Sequence, residues 1–373
     1  MIRLLLIALV LLGSLSGCKK EKEIKKSGKV VKIGVLAPLS QENSRYGIQS
    51  LAGVRFANKE HRFLKNGDEV VFEIIDTNSS KEGTQRAFKR LVDKNVTAII
   101  SFAGSDNTLG LKENLSKSHI PVIASLATNN QISRLSQNIV QVCMSNKDES
   151  LVAAHFVKDE KFIKRVGVVY NANNAYSKAL AKEFTHYYKK LYGEVAFSLD
   201  LSKKGALEAL GEEDLSQIKM IFYTAGVKDS IAVLKILKSK ANATMLASDG
   251  LLSSAKENIK DDVNLLNGIY IVEHYASDVK GSSTYKRLQR VLKKDAIEDS
   301  SYAFLAYDSY ELLYDVLNSC PSDKEQCMRA LLHNSDVVRG IASNFSMIDG
   351  AVQREIYIDK VENLRLKKVI ITY

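Results

Sequence analysis

"VVKIGVLAPLS" (Val30–Ser40), followed by "YGIQSLAGVRFANKE" (Tyr46–Glu60) and "EVVFEIIDT" (Glu69–Thr77), is the stretch whose reading decides the fold. The first segment is a short β-branched run that reads as a buried strand leading into a loop. The second places Ile48, Leu51, Ala52 and Phe56 on one helical face. The third is again a strand. Strand, helix and strand in this rhythm imply right-handed crossovers and a largely parallel sheet covered on both faces.

The rhythm continues outward. "EGTQRAFKRLVDK" is a helix with Ala87, Phe88 and Leu91 inward, "VTAIISFAG" a strand, "TLGLKENLSKS" a helix and "IPVIASLAT" a strand. It restarts with the strand "RVGVVYNAN", the long helix "AYSKALAKEFTHYYKKL" and the strand "EVAFSLDL", and then with "IKMIFYTAG", "VKDSIAVLKILKSK" and "ATMLASDG". Two such sets predict two similar α/β lobes. "GIYIVEHYAS" begins a further strand. In "SYAFLAYDSYELLYDVL" the residues Ala303, Ala306, Tyr307, Tyr310, Leu313, Tyr314 and Leu317 fall at helical spacing, a stripe for packing against a sheet. The chain ends in "REIYIDKVENLRLKKVIITY", a hairpin with its polar turn near "VEN".

Upstream of the first strand, "LLLIALVLL" is too short to span a membrane and has the length of a secretory h-region. It ends in "LSGC" at Leu15–Cys18, small residues before a cysteine, which resembles the bacterial lipoprotein box in which that cysteine is lipidated. A plain secretory signal with a coincidental Cys18 is the alternative. "KKEKEIKKSGK" (Lys19–Lys29) has too few apolar groups to order itself and reads as a solvated tether beside an anionic membrane surface. Arg3 and the lysine-rich stretch through Lys32 hold most of the formal charge of +10, so the rest of the chain has no nucleic-acid footprint.

Of the remaining cysteines, Cys320 and Cys327 bracket the polar "PSDKEQ" between two helical stretches. In an oxidising compartment they are expected to close a disulfide, the alternative being two unpaired thiols. Cys143, inside "IVQVCMS", reads as a small core residue. The six histidines have no metal-binding spacing, and no GxGxxG follows the first strand. "GSDNTLG" lacks the GK[ST] end of a phosphate loop, and no GxSxG elbow is present. The sequence therefore offers no metal, no cofactor and no catalytic constellation.

The order of the pieces resembles the type I periplasmic binding proteins, specifically the leucine/isoleucine/valine-binding group that serves ABC importers. The stretches that carry the resemblance are "IGVLAPLS", "YGIQSLAGVRFA", "FEIIDTNSSKEGTQRAFKRLV", "AIISFAGSDNTLG", "IPVIASLATN", "VGVVYNANNAYSKAL", "LASDGL", "AFLAYDSYELL" and "SNFSMIDGAV". What it implies is an α/β protein of two doubly wound, Rossmann-like lobes joined by a three-stranded hinge. A signal peptide (1–18) and tether (19–29) would precede a first lobe of 30–145 plus 275–350 and a second of 146–274 plus 351–373.

On this template ligands sit at the C-terminal ends of strands. The resemblance implies that Ser105 binds a carboxylate and that Ala127 and Thr128 hold an amino-acid head group. It makes Tyr46 a cover over the ligand side chain and Tyr176 its counterpart on the facing lobe. Asp249 falls where an acidic residue pairs with the ligand ammonium. Each has a plainer reading: Ser105 or Asp106 as a helix cap, Ala127–Thr128 as an ordinary turn, the tyrosines as surface rings, Asp249 as a turn cap before Gly250. Asp106 is awkward beside an anion pocket unless it points away. In "MSNKDES" the family commonly has Asp where this chain has Asn146, which keeps a hydrogen bond and removes a charge.

The expected function is a monomeric, lipid-anchored extracytoplasmic receptor that captures an amino acid or similar small solute and delivers it to an ABC permease, without covalent chemistry. The second reading is a lipoprotein of the same fold that activates a cell-wall synthase by binding it.

Overall fold

The computed structural model describes residues 28–240, 243–249, 251, 263–275, 282–297, 301–321, 324–363 and 365–372. The leader, Cys18 and most of the tether lie outside them; Gly28 and Lys29 are exposed. No helix among the described residues is long and apolar enough to cross a membrane.

In chain order the strands are β1 (Val30–Ala37), β2 (Glu69–Asp76), β3 (Ala98–Ser101), β4 (Val122–Ala124), β5 (Ile139–Gln141), β6 (Arg165–Tyr170), β7 (Glu194–Asp200), β8 (Met220–Tyr223), β9 (Thr244–Ala247), β10 (Tyr270–Glu273), β11 (Ser335–Val338), β12 (Phe345–Ile348), β13 (Ala351–Gln353), β14 (Ile356–Glu362) and β15 (Arg365–Thr372). They form two sheets, ordered β11-β12-β13-β5-β4-β3-β1-β2 and β15-β14-β10-β9-β8-β6-β7. Each has a parallel body made by helical crossovers and an antiparallel edge supplied by the C-terminal part of the chain. The alternation of strands and helices is therefore legible twice, once for each lobe.

Both faces of each sheet are covered. In the first lobe Val31, Ile33 and Val35 point toward the helices Ser44–Glu60 and Ser301–Ser319. Leu36 and Ile99 point the other way, onto Phe88 and Leu91 of the Lys81–Asp93 helix. In the second lobe the Asn146–His155 and Ala175–Lys190 helices cover one face and Val227–Lys240 the other. The Ser301–Ser319 helix is buried along almost its whole length, because it packs in the core of the first lobe together with the sheet and the Ser44–Glu60 helix. Those two helices touch so closely that a Cβ on Gly53 would lie 1.9 Å from the Ala303 carbonyl oxygen.

Three local expectations change. Ile48 is exposed, and Val54 and Ala57 instead join Leu51 and Phe56 on the buried face. "TLGLKENLSKS" is not one helix: Ser105–Leu109 and Lys112–Ser116 are separated at Gly110–Leu111. The lobe boundary expected between 350 and 351 moves to Arg354–Glu355. The reason is a two-residue turn at Asp349 and Gly350, both at positive φ, which folds β13 back onto β12 and into the first sheet.

The chain thus passes between the lobes near Met144, near His274–Tyr275 and at Arg354–Glu355. These passages are laced together. The Met144 N–H donates to His274 Nδ1 at 3.5 Å. Arg354 donates to the Tyr275 hydroxyl (2.7 Å) and to Asp308 Oδ2 (3.0 Å), and Tyr275 donates to the same carboxylate (2.8 Å).

Candidate functional site

The parallel strands of both sheets end toward each other, and the loops that follow them meet between the lobes. From the first lobe come the loop after β3, which carries Ser105, and the loop after β4, which carries Ala127 and Thr128. All three are buried. Ser105 Oγ accepts from the Asn129 N–H at 3.2 Å, which ties the two loops together and leaves its own proton to donate. The Ala127 carbonyl accepts from Gln141 Nε2 at 2.8 Å and is thereby committed inside the lobe.

Asp106 does not crowd this region. Its carboxylate crosses to the second lobe and accepts from the Ala175 N–H at 3.0 and 3.2 Å, at the first turn of the Ala175–Lys190 helix. A carboxylate is the right group there, because helix starts carry unsatisfied N–H groups and partial positive charge. Asn130 makes two further links between the lobes, donating to Glu183 (3.2 Å) and accepting from the Lys147 N–H (2.8 Å).

Asn146 is fully buried at the start of its helix, which Ser145 caps. Its N–H donates to the Thr128 carbonyl at 2.7 Å. Turned with its nitrogen toward Thr128, its amide donates to Thr128 O (3.1 Å) and Oγ1 (2.7 Å) and accepts from the Leu180 N–H (3.2 Å). An ionised Asp has no proton to give the Thr128 carbonyl, which accounts for the amide at this place. Asn146 thus joins the lobes, and Thr128 keeps its hydroxyl proton to donate.

The second lobe brings Tyr176 and Asp249 together: the Tyr176 hydroxyl donates to Asp249 Oδ1 at 3.1 Å. His274 lies buried behind them, its Nε2 3.3 Å from Asp249 Oδ2 but not aligned for a hydrogen bond. Nδ1 accepts from Met144, so the ring proton belongs on Nε2. Tyr46 packs on Tyr302 with ring centroids 4.7 Å apart. Burial raises the Tyr302 phenol well above its usual range, and the nearby Tyr46, Asp249 and Glu273 raise it further. The aromatic pair of the first lobe therefore stands close to the carboxylates of the second.

Three residues here went unnoticed in the sequence. Glu149, one turn after Asn146, is 0% exposed, and neither carboxylate oxygen has a hydrogen-bond partner. Burial holds its pKa well above the ordinary range, Asp249 and Glu273 push it in the same direction, and the neighbouring Tyr176 hydroxyl opposes them. Glu273 is buried at the end of β10 and accepts from Ser301 Oγ at 2.8 Å. Tyr302 follows Ser301. The available signal was position: "VEH" closes a strand that runs parallel to its neighbour, and Glu149 lies in the first turn of a helix that opens a lobe.

Two lobes of the same α/β build, with buried polar side chains from both brought together where their strands end, define the two-lobed periplasmic type. A family profile described as periplasmic binding protein matches residues 30–365, and the chain belongs to that family. Its fold is similar to that of a leucine-binding protein, LivK, from Thermotoga maritima, at 21% identity over 91% of this chain and 98% of that one, with a TM-score of 0.82. It is also similar to the branched-chain amino acid binding protein LivJ of Streptococcus pneumoniae in complex with isoleucine (18%, 92% and 99%, TM-score 0.79). A third likeness is to an ABC-transporter solute-binding protein of R. palustris in complex with 4-hydroxybenzoate (17%, 92% and 97%, TM-score 0.80). No curated protein matches the chain. At these identities the solved structures speak for the fold, and the family implies work outside the cytoplasm.

Proposed function

We propose that this protein is the solute receptor of an ABC importer, held to a membrane through a lipid on Cys18, that encloses an amino acid or similarly small polar solute between its lobes. The observation that carries this reading is the pairing of unlike groups across the cleft. Ser105 and Thr128 offer hydroxyl donors on one side, and Asp249 with Tyr176 offers a carboxylate on the other. A molecule with an anionic and a cationic end satisfies both walls at once and favours the closed arrangement, which a permease then recognises. Tyr46 and Tyr176 flank the rest of the molecule. No step is covalent, so the protein acts as a binder rather than an enzyme, and it acts as a monomer.

The lipid anchor rests on "LSGC" after a short apolar run. Cys18→Ala is expected to release the protein from membranes or leave the precursor uncleaved. The receptor reading is tested by calorimetry and thermal shift over amino acids, amides and small carboxylates. A charge-assisted hydrogen bond in a buried site is worth about 1.5–3 kcal/mol, roughly ten- to a hundredfold in affinity. Asp249→Asn is expected to weaken an ammonium-bearing solute by that factor and Ser105→Ala to cost less. A wild-type protein that no solute in the panel stabilises contradicts the receptor reading.

A further inference from the structure

The acidic side of the cleft holds more carboxylate than a neutral amino acid can answer. Asp249 already suffices for one ammonium group. Glu149 is an additional carboxylate, completely buried, with neither oxygen hydrogen-bonded and no lysine, arginine or histidine paired to it among the described residues. The Tyr176 hydroxyl lies close enough to lower the Glu149 pKa, but its one proton is aligned on Asp249 Oδ1 at 3.1 Å, so Glu149 has no donor fitted to it. Burying an ionised carboxylate without a partner is among the costliest arrangements a protein can hold, so such a group is either kept neutral or kept for something that arrives. A structural role would normally show donors fitted around it, as Asp308 has in the same molecule.

We propose that the solute carries a positively charged nitrogen group, an ammonium or guanidinium, beyond what a neutral amino acid offers, and that Glu149 together with Asp249 receives it. The proposal rests on the receptor reading and narrows its solute class to basic amino acids, guanidines and diamines. The surroundings suit such a group. Tyr176 approaches the same carboxylates, and Tyr302 with Tyr46 stands near Asp249, offering ring faces that attract cations. Glu273 adds a third carboxylate close by. Among the described residues no three His, Cys, Asp or Glu side chains are placed to hold a metal ion. With no cation bound, its buried and acidic setting favours the neutral, protonated form of Glu149; the cation takes the place of that proton.

The test is calorimetry on the full chain with L-arginine, agmatine and putrescine as cationic probes, and L-leucine and benzoate as uncharged-side-chain and anionic comparators. At least one cationic probe is expected to bind more tightly than both comparators. Glu149→Gln is expected to weaken it roughly ten- to a hundredfold. The same variant relieves a buried carboxyl, so its unfolding midpoint without solute is expected to match or exceed that of wild type; Asp249→Asn is the second variant should Glu149→Gln fail to fold. Binding of leucine or benzoate in preference to every cationic probe overturns this inference and leaves the receptor reading standing. So does a cationic probe whose affinity Glu149→Gln leaves unchanged. Absence of binding by any solute overturns both.

Discussion

Arg354→Met is the perturbation that most directly probes how the lobes are joined. Arg354 sits in the last passage between the sheets, with its guanidinium buried between the rings of Phe345 and Tyr275, at 4.7 and 5.2 Å from their centroids. Asp308, on the central helix of the first lobe, is 1% exposed and accepts from Ile341 N–H (2.8 Å), Tyr275 and Arg354. Methionine keeps much of the apolar stem and removes the charge, leaving Asp308 with two donors and no counter-ion. Breaking a buried pair by removing one partner costs about 3–5 kcal/mol.

The pH dependence separates charge from packing. Burial already raises the Asp308 carboxyl above its ordinary value, outweighing the arginine, and removal of Arg354 raises it further. A carboxyl whose folded pKa is raised binds its proton more tightly in the folded state, so stability falls as pH rises from the unfolded value through the folded one. The slope is about 1.4 kcal/mol per unit. Wild-type Asp308 shifts in the same direction, so the gap between the two proteins widens only between their two folded values. Urea unfolding followed by far-ultraviolet circular dichroism measures this in a chain that has no tryptophan. The expected result is a deficit of about 3–5 kcal/mol at about pH 8 that shrinks at about pH 5, with Asp308→Asn/Arg354→Met recovering a large part of it. A deficit equal at both pH values, or a double variant no better than the single one, would refute the charge argument and assign the loss to ring packing.

Three further outcomes follow from other parts of the chain. Cys320 and Cys327 are bonded, with Cα atoms 5.9 Å apart, and join the end of the central helix to the Glu325–His333 helix. Replacing both by serine is expected to cost about 2–3 kcal/mol in the chain-entropy model, and peptide mapping without reductant should recover the linked pair. His61 lies 2.8 Å from Glu311, and this hydrogen bond raises its pKa. Its contribution is complete below about pH 6.5 and is lost as pH rises through the raised folded value, so the stability gap between wild type and His61→Gln should close on the alkaline side, modestly because the ring is half exposed. The Cys143 thiol, pushed up to about 12 by burial, is expected to resist alkylation at about pH 8 until the protein is unfolded.

The architecture was readable because its cause is periodic. Apolar runs of strand length alternating with helical stripes require a covered parallel sheet wherever they occur, and the C-terminal hairpin "IYIDKVENLRL" announced itself by its polar turn. What failed to show depends on contacts between distant positions. His61 and Glu311 are 250 residues apart, and nothing local to either predicts the pairing. Arg354 and Asp308 belong to different elements, and only the β12–β13 turn, which keeps Ala351–Gln353 in the first sheet, places the arginine where it can reach. Ile48 looked inward because it keeps the helical spacing of Leu51 and Phe56, and spacing alone does not say where the apolar face ends.

The site illustrates the same limit with more consequence. Taken alone, Asn146 reads as the loss of a charge from the second lobe, and that reading weakens the case for an ammonium-bearing ligand. The structure gives the amide another task, donating to the Thr128 carbonyl between the lobes, which no carboxylate can perform. One helical turn later Glu149 stands on the same buried side of the same helix, and there neither carboxyl oxygen has an aligned hydrogen-bond donor. A carboxyl group is therefore still present on this helix, one turn further along and released from joining the lobes. A residue-by-residue match to a motif registers the substitution at the first position and misses the acid at the second. Only the helical repeat, which makes residues three apart neighbours, lets the two be read together.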